Sequence, residues 1–242
     1  MANKLILNNL NAAYGSIQVL HGITLHVGDG ETVALLGTNG NGKSTLIKCI
    51  AGLVRPNKGQ VTAVIDDMEH DLSEISPEAI VNLGIAMVPE GRRLFPTLSV
   101  EENLLLGASR PAARAKVQES LEYCFEVFPK LKERLNQRAG SMSGGEQQMV
   151  ALARALMTLP KILLIDEPSV GLAPIIVKQM IDKIAELKTQ RGLTVLMAEQ
   201  NFTQAMRIAD RGYVIVHGEI KITGTAAELN NNAIVRQLYM GM

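Results

Sequence analysis

Between Gly37 and Thr45 the chain reads GTNGNGKST, which fits the spacing G-x-x-x-x-G-K-[ST]. Gly37, Gly40 and Gly42 free the backbone to turn successive N–H groups toward one anion. Thr38, Asn39, Asn41 and Thr45 complete a loop long enough to wrap a chain of phosphates. Lys43 is placed to neutralise the β- and γ-phosphates, and Ser44 to offer its hydroxyl to Mg2+. A glycine-rich turn with a chance lysine is the bland alternative. The flanks speak against it, because apolar VALLG precedes the loop and KSTLIKCIAGLV follows with helical spacing. A strand, then this loop, then a helix is the context the motif requires.

A second stretch supplies the complement. In ILLIDEP, four apolar residues predict a buried strand, and Asp166 stands at its carboxyl end where it can hold Mg2+ through water. Glu167, next in the chain, is a candidate base for a hydrolytic water, a role worth ~10²–10⁴-fold in rate. An acidic pair after a strand is more often solvated surface, but a phosphate loop in the same chain favours the chemical reading.

The third stretch is SMSGGEQQ, residues 141–148. Ser143 and Glu146 have capping-box spacing, sufficient to start a helix. A capping box has no use for Gly144 and Gly145, and glycine early in a helix costs up to ~1 kcal/mol relative to alanine. Their presence implies a close approach to the backbone, and a helix entrance of this kind exposes N–H groups to an anion. The chain therefore carries two phosphate cradles about a hundred residues apart.

These residues need a frame to hold them. VALLG (33–37), IAMVPE (85–90), ILLIDEP (162–168) and VLMAEQ (195–200) are apolar runs of the kind covered on both faces in a parallel α/β sheet. KSTLIKCIAGLV and PIIVKQMIDKIAELKTQ predict helices, the second with Val177, Met180, Ile181, Ile184 and Leu187 on one face. LILNNLNAAYG and VLHGITLHVGDGETVALLG alternate more and predict antiparallel strands. From 90 to 160 no strand-like run occurs. Ser99 and Glu102 open a helix with another capping box, and charged helical sequence continues to Pro160. The expected organisation is a single domain: an α/β core, 1–89 and 161–242, interrupted by a helical subdomain, 90–160.

Composition narrows the partners. The 242 residues carry 24 lysines and arginines against 24 aspartates and glutamates, a balance that argues against a dedicated nucleic-acid binder. No apolar run approaches the ~20 residues that cross a bilayer. MANKLILNNLNAAYG lacks the basic and apolar regions of a signal peptide, so a cytoplasmic protein is expected, taken to any membrane by another protein. Cys49 and Cys124 lie in predicted helices without metal-like spacing and read as reduced thiols.

In this order, GTNGNGKST, SMSGGEQQ and ILLIDEP resemble the nucleotide-binding domain of ABC ATPases, over nearly the whole chain. The resemblance implies a P-loop NTPase core of ABC ATPase type, with an antiparallel β subdomain and an inserted helical subdomain. It also answers the puzzle of two cradles. In that family the segment matching Ser143-Gly144-Gly145-Glu146-Gln147 caps ATP held by the P-loop of a second subunit, in a head-to-tail dimer with two ATPs between. Tyr14 matches the aromatic that stacks on adenine, though it could otherwise be ordinary strand-end packing. Glu90 stands where a glutamine usually senses Mg2+ and touches the membrane subunit. Ala173 replaces an aspartate that would cross the dimer interface, and Gln200 stands where a histidine usually contacts the γ-phosphate. The resemblance thus adds Gln200 to Glu167 and Lys43 as candidate catalytic residues, and Glu90 to Ser44 and Asp166 as candidate metal residues.

VPEGRRLFPTLSVEENL, DEPSVGLAP and AEQN together look like a narrower branch, one of the two ATPase subunits of bacterial branched-chain (hydrophobic) amino acid importers. That implies a second ABC ATPase subunit, favouring a heterodimer, two transmembrane permease subunits, an indirect periplasmic binding protein, and a peripheral place on the cytoplasmic face of the inner membrane. Alternatives are the ATPase of another importer, for example for urea or short amides, and a soluble ABC ATPase of DNA repair, iron–sulfur assembly or translation. Those soluble classes tend to carry long coiled-coil insertions, cysteine sites or tandem cassettes. A small P-loop kinase or GTPase would leave SGGEQQ without a role, and the N-K-x-D guanine motif is missing.

Overall fold

The computed structural model describes residues 1–240. Two long strands, β1 (Lys4–Tyr14) and β2 (Ile17–Val27), lead to β3 (Thr32–Leu36) and helix α1 (Lys43–Ile50). A hairpin, β4 (Lys58–Ile65) and β5 (Met68–Asp71), precedes α2 (Pro77–Leu83) and β6 (Ile85–Val88). Next come α3 (Val100–Gly107), α4 (Pro111–Arg114), α5 (Val117–Val127), α6 (Pro129–Glu133) and α7 (Gly144–Leu156). The chain then returns through β7 (Ile162–Asp166), α8 (Pro174–Arg191), β8 (Thr194–Glu199) and α9 (Phe202–Ala205). It closes with β9 (Arg211–Val216), β10 (Glu219–Thr225), α10 (Ala226–Asn231) and α11 (Ala233–Met240).

The strands form two sheets. One is antiparallel in the order β2-β1-β4-β5; the other runs β10-β9-β3-β8-β7-β6 and is parallel except for β10. The larger sheet has a separate core on each face, and strand periodicity assigns residues to them. Val33 and Leu35, Ile162 and Leu164, Leu196 and Ala198 join the core shared with the antiparallel sheet and α1. Ala34 and Leu36, Leu163 and Ile165, Val195 and Met197 join the core under α3, α5, α7 and α8. Burial on both faces is why these strands read as unbroken apolar runs. Each such leucine contributes ~1.5–3 kcal/mol of burial.

Val177, Met180, Ile181, Ile184 and Leu187 are the buried residues of α8, at the expected spacing. Pro174 starts that helix, and Gly192, with φ 61°, ends it in the left-handed region. The capping box of Ser99 and Glu102 opens α3 as expected. Helix α1 is shorter than KSTLIKCIAGLV suggests. It stops at Ile50 because Gly52 turns left-handed at φ 71°, with a Cβ there only 2.8 Å from Ile80 Cδ1. Cys49 and Cys124 are buried free thiols, and burial pushes both up to about 12, which keeps them protonated.

The sheet order fixes the geography of the chemistry. Strand β8 lies between β3 and β7, with Leu36 opposite Glu199 and Asp166 opposite Ala198. The loops after β3, β7 and β8 therefore emerge side by side at the carboxyl edge, where open α/β sheets bind ligands.

Candidate nucleotide site

The loop after β3 is glycine-rich for steric reasons. A Cβ on Gly37 would lie 2.8 Å from the Ile215 carbonyl oxygen, so β9 leaves no room for a side chain. Gly42, at φ 96°, is the left-handed N-cap of α1, and a Cβ there would meet Leu20 Cδ2 at 2.8 Å. Asn41 braces the loop. Its Nδ2 donates to Thr38 Oγ1 at 2.7 Å, and its Oδ1 accepts from the His217 N–H at 2.8 Å.

Lys43 and Ser44 open α1, and each touches one of the acidic residues that follow β7. Lys43 Nζ donates to the carbonyls of Gly37 (2.8 Å) and Thr38 (3.1 Å) and pairs with Glu167 Oε1 at 2.8 Å. Both members of that pair are buried, with 2% and 7% of their side chains exposed. Ser44 Oγ donates to Asp166 Oδ1 at 2.9 Å. Burial pushes Asp166 up to about 6; the Ser44 hydrogen bond opposes this, while Glu167 and Glu90 add to it. Glu167 occupies the left-handed region at φ 47°, a strained conformation for a residue other than glycine. Its N–H donates to the Ala198 carbonyl at 2.9 Å. Val19, Gly40, Gly42, Lys43, Ser44, Thr45 and Glu167 line a small cleft of about 150 Å3.

Tyr14 is exposed at the end of β1, on the same hairpin that brings Val19 to the cleft. Exposed Glu90 follows β6, within reach of Asp166 by its field. Gln200 is exposed directly after β8. Thr38, Asn39 and Gly40 are exposed, while Thr45 is buried.

Ser143 to Glu146 do not line this cleft, and neither do Tyr14, Glu90 and Gln200. Ser143 is the N-cap of α7; its hydroxyl accepts from the Glu146 N–H at 3.4 Å, and its own N–H donates to Glu146 Oε2 at 3.0 Å. The Ser143 side chain, then its backbone and Arg134 at 3.2 Å, hold Glu146 below the usual carboxylate range despite partial burial. Gly145 has a reason within the chain that the sequence reading did not supply. A Cβ on Gly145 would lie 2.7 Å from Ile176 Cγ2, and one on Gly144 would lie 3.1 Å from Arg92 Nη2. Close approach by α8 requires glycine at Gly145, whereas at Gly144 the neighbour is the end of the Arg92 side chain, which can give way.

Three further residues escaped the sequence reading. Arg92 Nη1 donates to Gln147 Oε1 at 3.3 Å, and Arg154 Nη2 donates to the carbonyls of Arg92 (3.1 Å) and Arg93 (2.9 Å). These bonds tie helix α7 to a loop that is left-handed at Gly91, Arg92 and Arg93 in succession. The buried Glu199 ends β8 between the two acidic and phosphate loops. Its position in VLMAEQ, a carboxylate inside an apolar run, was the available signal.

A glycine cradle at a helix entrance, a buried lysine, a serine–aspartate contact and a glutamate on a strained turn define a P-loop protein that binds and hydrolyses a nucleoside triphosphate. The sequence matches the ABC transporter family over residues 20–170. The high-affinity branched-chain amino acid transport ATP-binding protein BraG of Pseudomonas aeruginosa is 44% identical over 234 residues, 97% of this chain and 98% of that one. Among solved structures, a nucleotide-free ATP-binding cassette of an ABC transporter is 28% identical, with a TM-score of 0.84 over 99% of this chain and 100% of that one. The cassette MJ0796, dimeric in a post-hydrolysis state bound to ADP and Pi, is 26% identical, with a TM-score of 0.77 over 92% and 98%. The chain belongs to the ABC transporter family, and it is an ATP-binding subunit that hydrolyses ATP in the service of transport.

Proposed function

We propose that the chain is the motor subunit of a membrane importer for branched-chain or other hydrophobic amino acids. The substrate class is supported by BraG, whose likeness runs the length of both chains. The chemistry is supported above all by one observation: Ser44 and Lys43, adjacent at the start of α1, touch Asp166 and Glu167, adjacent at the end of β7. In this reading the loop from Gly37 to Thr45 wraps the triphosphate and Tyr14 stacks on the base. Lys43 exchanges Glu167 for the β- and γ-phosphates, which leaves the Glu167 carboxylate free to take a proton from the attacking water. The water oxygen bonds to the γ-phosphorus as the bond to ADP breaks. Gln200 donates a hydrogen bond to the γ-phosphate.

The donors fit Mg2+, which takes hard oxygen ligands and keeps several waters. Ser44 Oγ and Asp166 Oδ1 are neighbours, Glu90 adds a third oxygen source, and among the described residues no cluster of three His, Cys, Asp or Glu could hold a metal alone. Mg2+ bound there would neutralise phosphate charge.

The reading includes a second ATPase subunit, favoured as a different chain, whose ATP would meet Ser143, Gly144, Gly145 and Glu146. The dimeric MJ0796 cassette supports pairing, and the position of those residues at the entrance of α7 rather than α1 supports a second nucleotide. Two permease subunits would dock beside the Glu90 loop, where a groove of about 390 Å3 exposes Leu53, Phe95 and Leu106. A periplasmic binding protein would deliver the substrate. Among the described residues no helix is long and apolar enough to cross a membrane, which fits a peripheral subunit at the cytoplasmic face. The test is uptake of labelled leucine by proteoliposomes holding the assembled transporter. ATP-dependent uptake that Glu167→Gln abolishes is the expected result; ATP turnover without uptake of any branched-chain amino acid would refute the substrate.

A further inference from the structure

We propose that Glu199 is a positioning residue for hydrolysis, holding the turn that follows Glu167 and the turn that carries Gln200 in one fixed arrangement. The inference rests on the reading of Glu167 as the base. Glu199 is fully buried, at 0% exposure, and its carboxylate is held by neutral backbone donors. Its Oε1 accepts from the Ser169 N–H at 3.1 Å, and its Oε2 accepts from the N–H groups of Gln200 (2.9 Å) and Asn201 (3.0 Å). Among the described residues no cation pairs with it, and a buried carboxylate so placed is a poor source of stability, since desolvation consumes most of what its bonds return. Its use here is geometric. One rigid, two-oxygen acceptor gathers donors from two loops that no backbone ladder joins.

The strand order explains why such a bridge is needed. The β7–β8 ladder ends with Asp166 opposite Ala198. Beyond it the chain must turn through Glu167 at φ 47°, just before Pro168, which has no N–H to contribute and itself restricts residue 167. The Glu167 N–H is fixed to the Ala198 carbonyl, and two residues on, Ser169 is fixed to the side chain of Glu199. Adjacent residues of β8 thus hold both sides of the strained turn. The same carboxylate holds the main chain at Gln200, so the proposed base and the proposed γ-phosphate contact share one anchor.

Glu199→Gln keeps the shape but replaces one acceptor oxygen with an NH2 group, which must face an N–H. In the assembled transporter its kcat should fall about 10–100-fold, the scale expected when a reacting group is misplaced by an ångström or less, while the KM for ATP changes less than about threefold. Combined with Glu167→Gln, it should add no further loss, because a misplaced base and a missing base cost the same step. Amide hydrogen exchange of the full chain supplies an independent readout: Ser169, Gln200 and Asn201 should be protected in the parent and exchange faster in Glu199→Gln, with α1 and α7 unchanged. Should Glu199→Gln misfold, Glu199→Asp and protection of the Ser169 amide in the parent still test the claim. Parental kcat in a folded Glu199→Gln, a multiplicative loss in the double variant, or an unprotected Ser169 amide would each overturn it. Parental turnover in Glu167→Gln alone would instead overturn the assignment of the base, with the exchange data still deciding whether Glu199 holds the two loops.

Discussion

Lys43 and Glu167 meet in a buried pair, so each is positioned by the other as well as by its own element. Glu167→Gln removes the proton acceptor while leaving Lys43 and Asp166 in place. ATP binding should be retained and turnover should fall by about 10²–10⁴-fold, read by phosphate release from the assembled transporter. Gln200 is a different case, because its side chain is exposed and an amide does not titrate near neutrality. Gln200→Ala should lower turnover about 10–100-fold, equivalent to ~1.4–2.7 kcal/mol of transition-state stabilisation, with ATP affinity little changed. Above the range in which Asp166, pushed up to about 6, takes its proton, the parent rate should be flat between pH ~7 and ~8, and Gln200→His should introduce a pH dependence there. Gln200→Ala turning over at the parental rate would make Gln200 a bystander. At this scale the sequence was informative wherever chemistry is local: Lys43 beside Ser44, Asp166 beside Glu167, Ser143 three residues before Glu146. Arg92 and Arg154 were illegible because their partners lie 55 to 62 residues away and depend on helix docking. Glu199 carried a local signal in its place inside an apolar run, but its bond to Ser169, 30 residues away, depends on strand order.

Helix α8 shows how an element can be well read and still incompletely specified. Its apolar face, its Pro174 start and its Gly192 stop all follow from local rules, yet its N-cap is Ala173, which makes no side-chain cap bond. Ala173 is exposed with extended backbone at φ −65° and ψ 146°, a conformation an aspartate cap adopts without strain. Ala173→Asp should therefore stabilise the chain by about 1 kcal/mol, roughly the worth of a side-chain cap, seen as a higher denaturation midpoint at unchanged slope. A lower midpoint would mean that the carboxylate meets an unfavourable field there. The strands divide in the same way. Those buried on both faces were legible as apolar runs, whereas β5 and β10 bury one face or less, and β4 is buried only from Val61 onward with the polar Thr62 inside its buried run; all three were missed. Strand β9 carries its own signal in YVIV, β-branched and largely buried, and could have been found.

At the scale of the molecule, the proposed function gives one chain two anion cradles, the P-loop and the entrance of α7, that serve different nucleotides. The P-loop packs against β2, β9 and the residues after β7. The entrance of α7 packs against Arg92, Arg134 and Ile176. Titration of the isolated chain with ATP, comparing Lys43→Ala with Gly144→Glu, tests this most directly. Lys43→Ala deletes a buried cation from the P-loop and should weaken binding at least about 30-fold, the low end of losing a buried charged contact. Gly144→Glu sets a carboxylate beside Arg92, which the fold can accommodate. It should bind ATP within about threefold of the parent, because its cradle would meet only a partner's nucleotide. Equal loss of ATP affinity in both variants would contradict the account, since the two cradles would then share one nucleotide within a single chain.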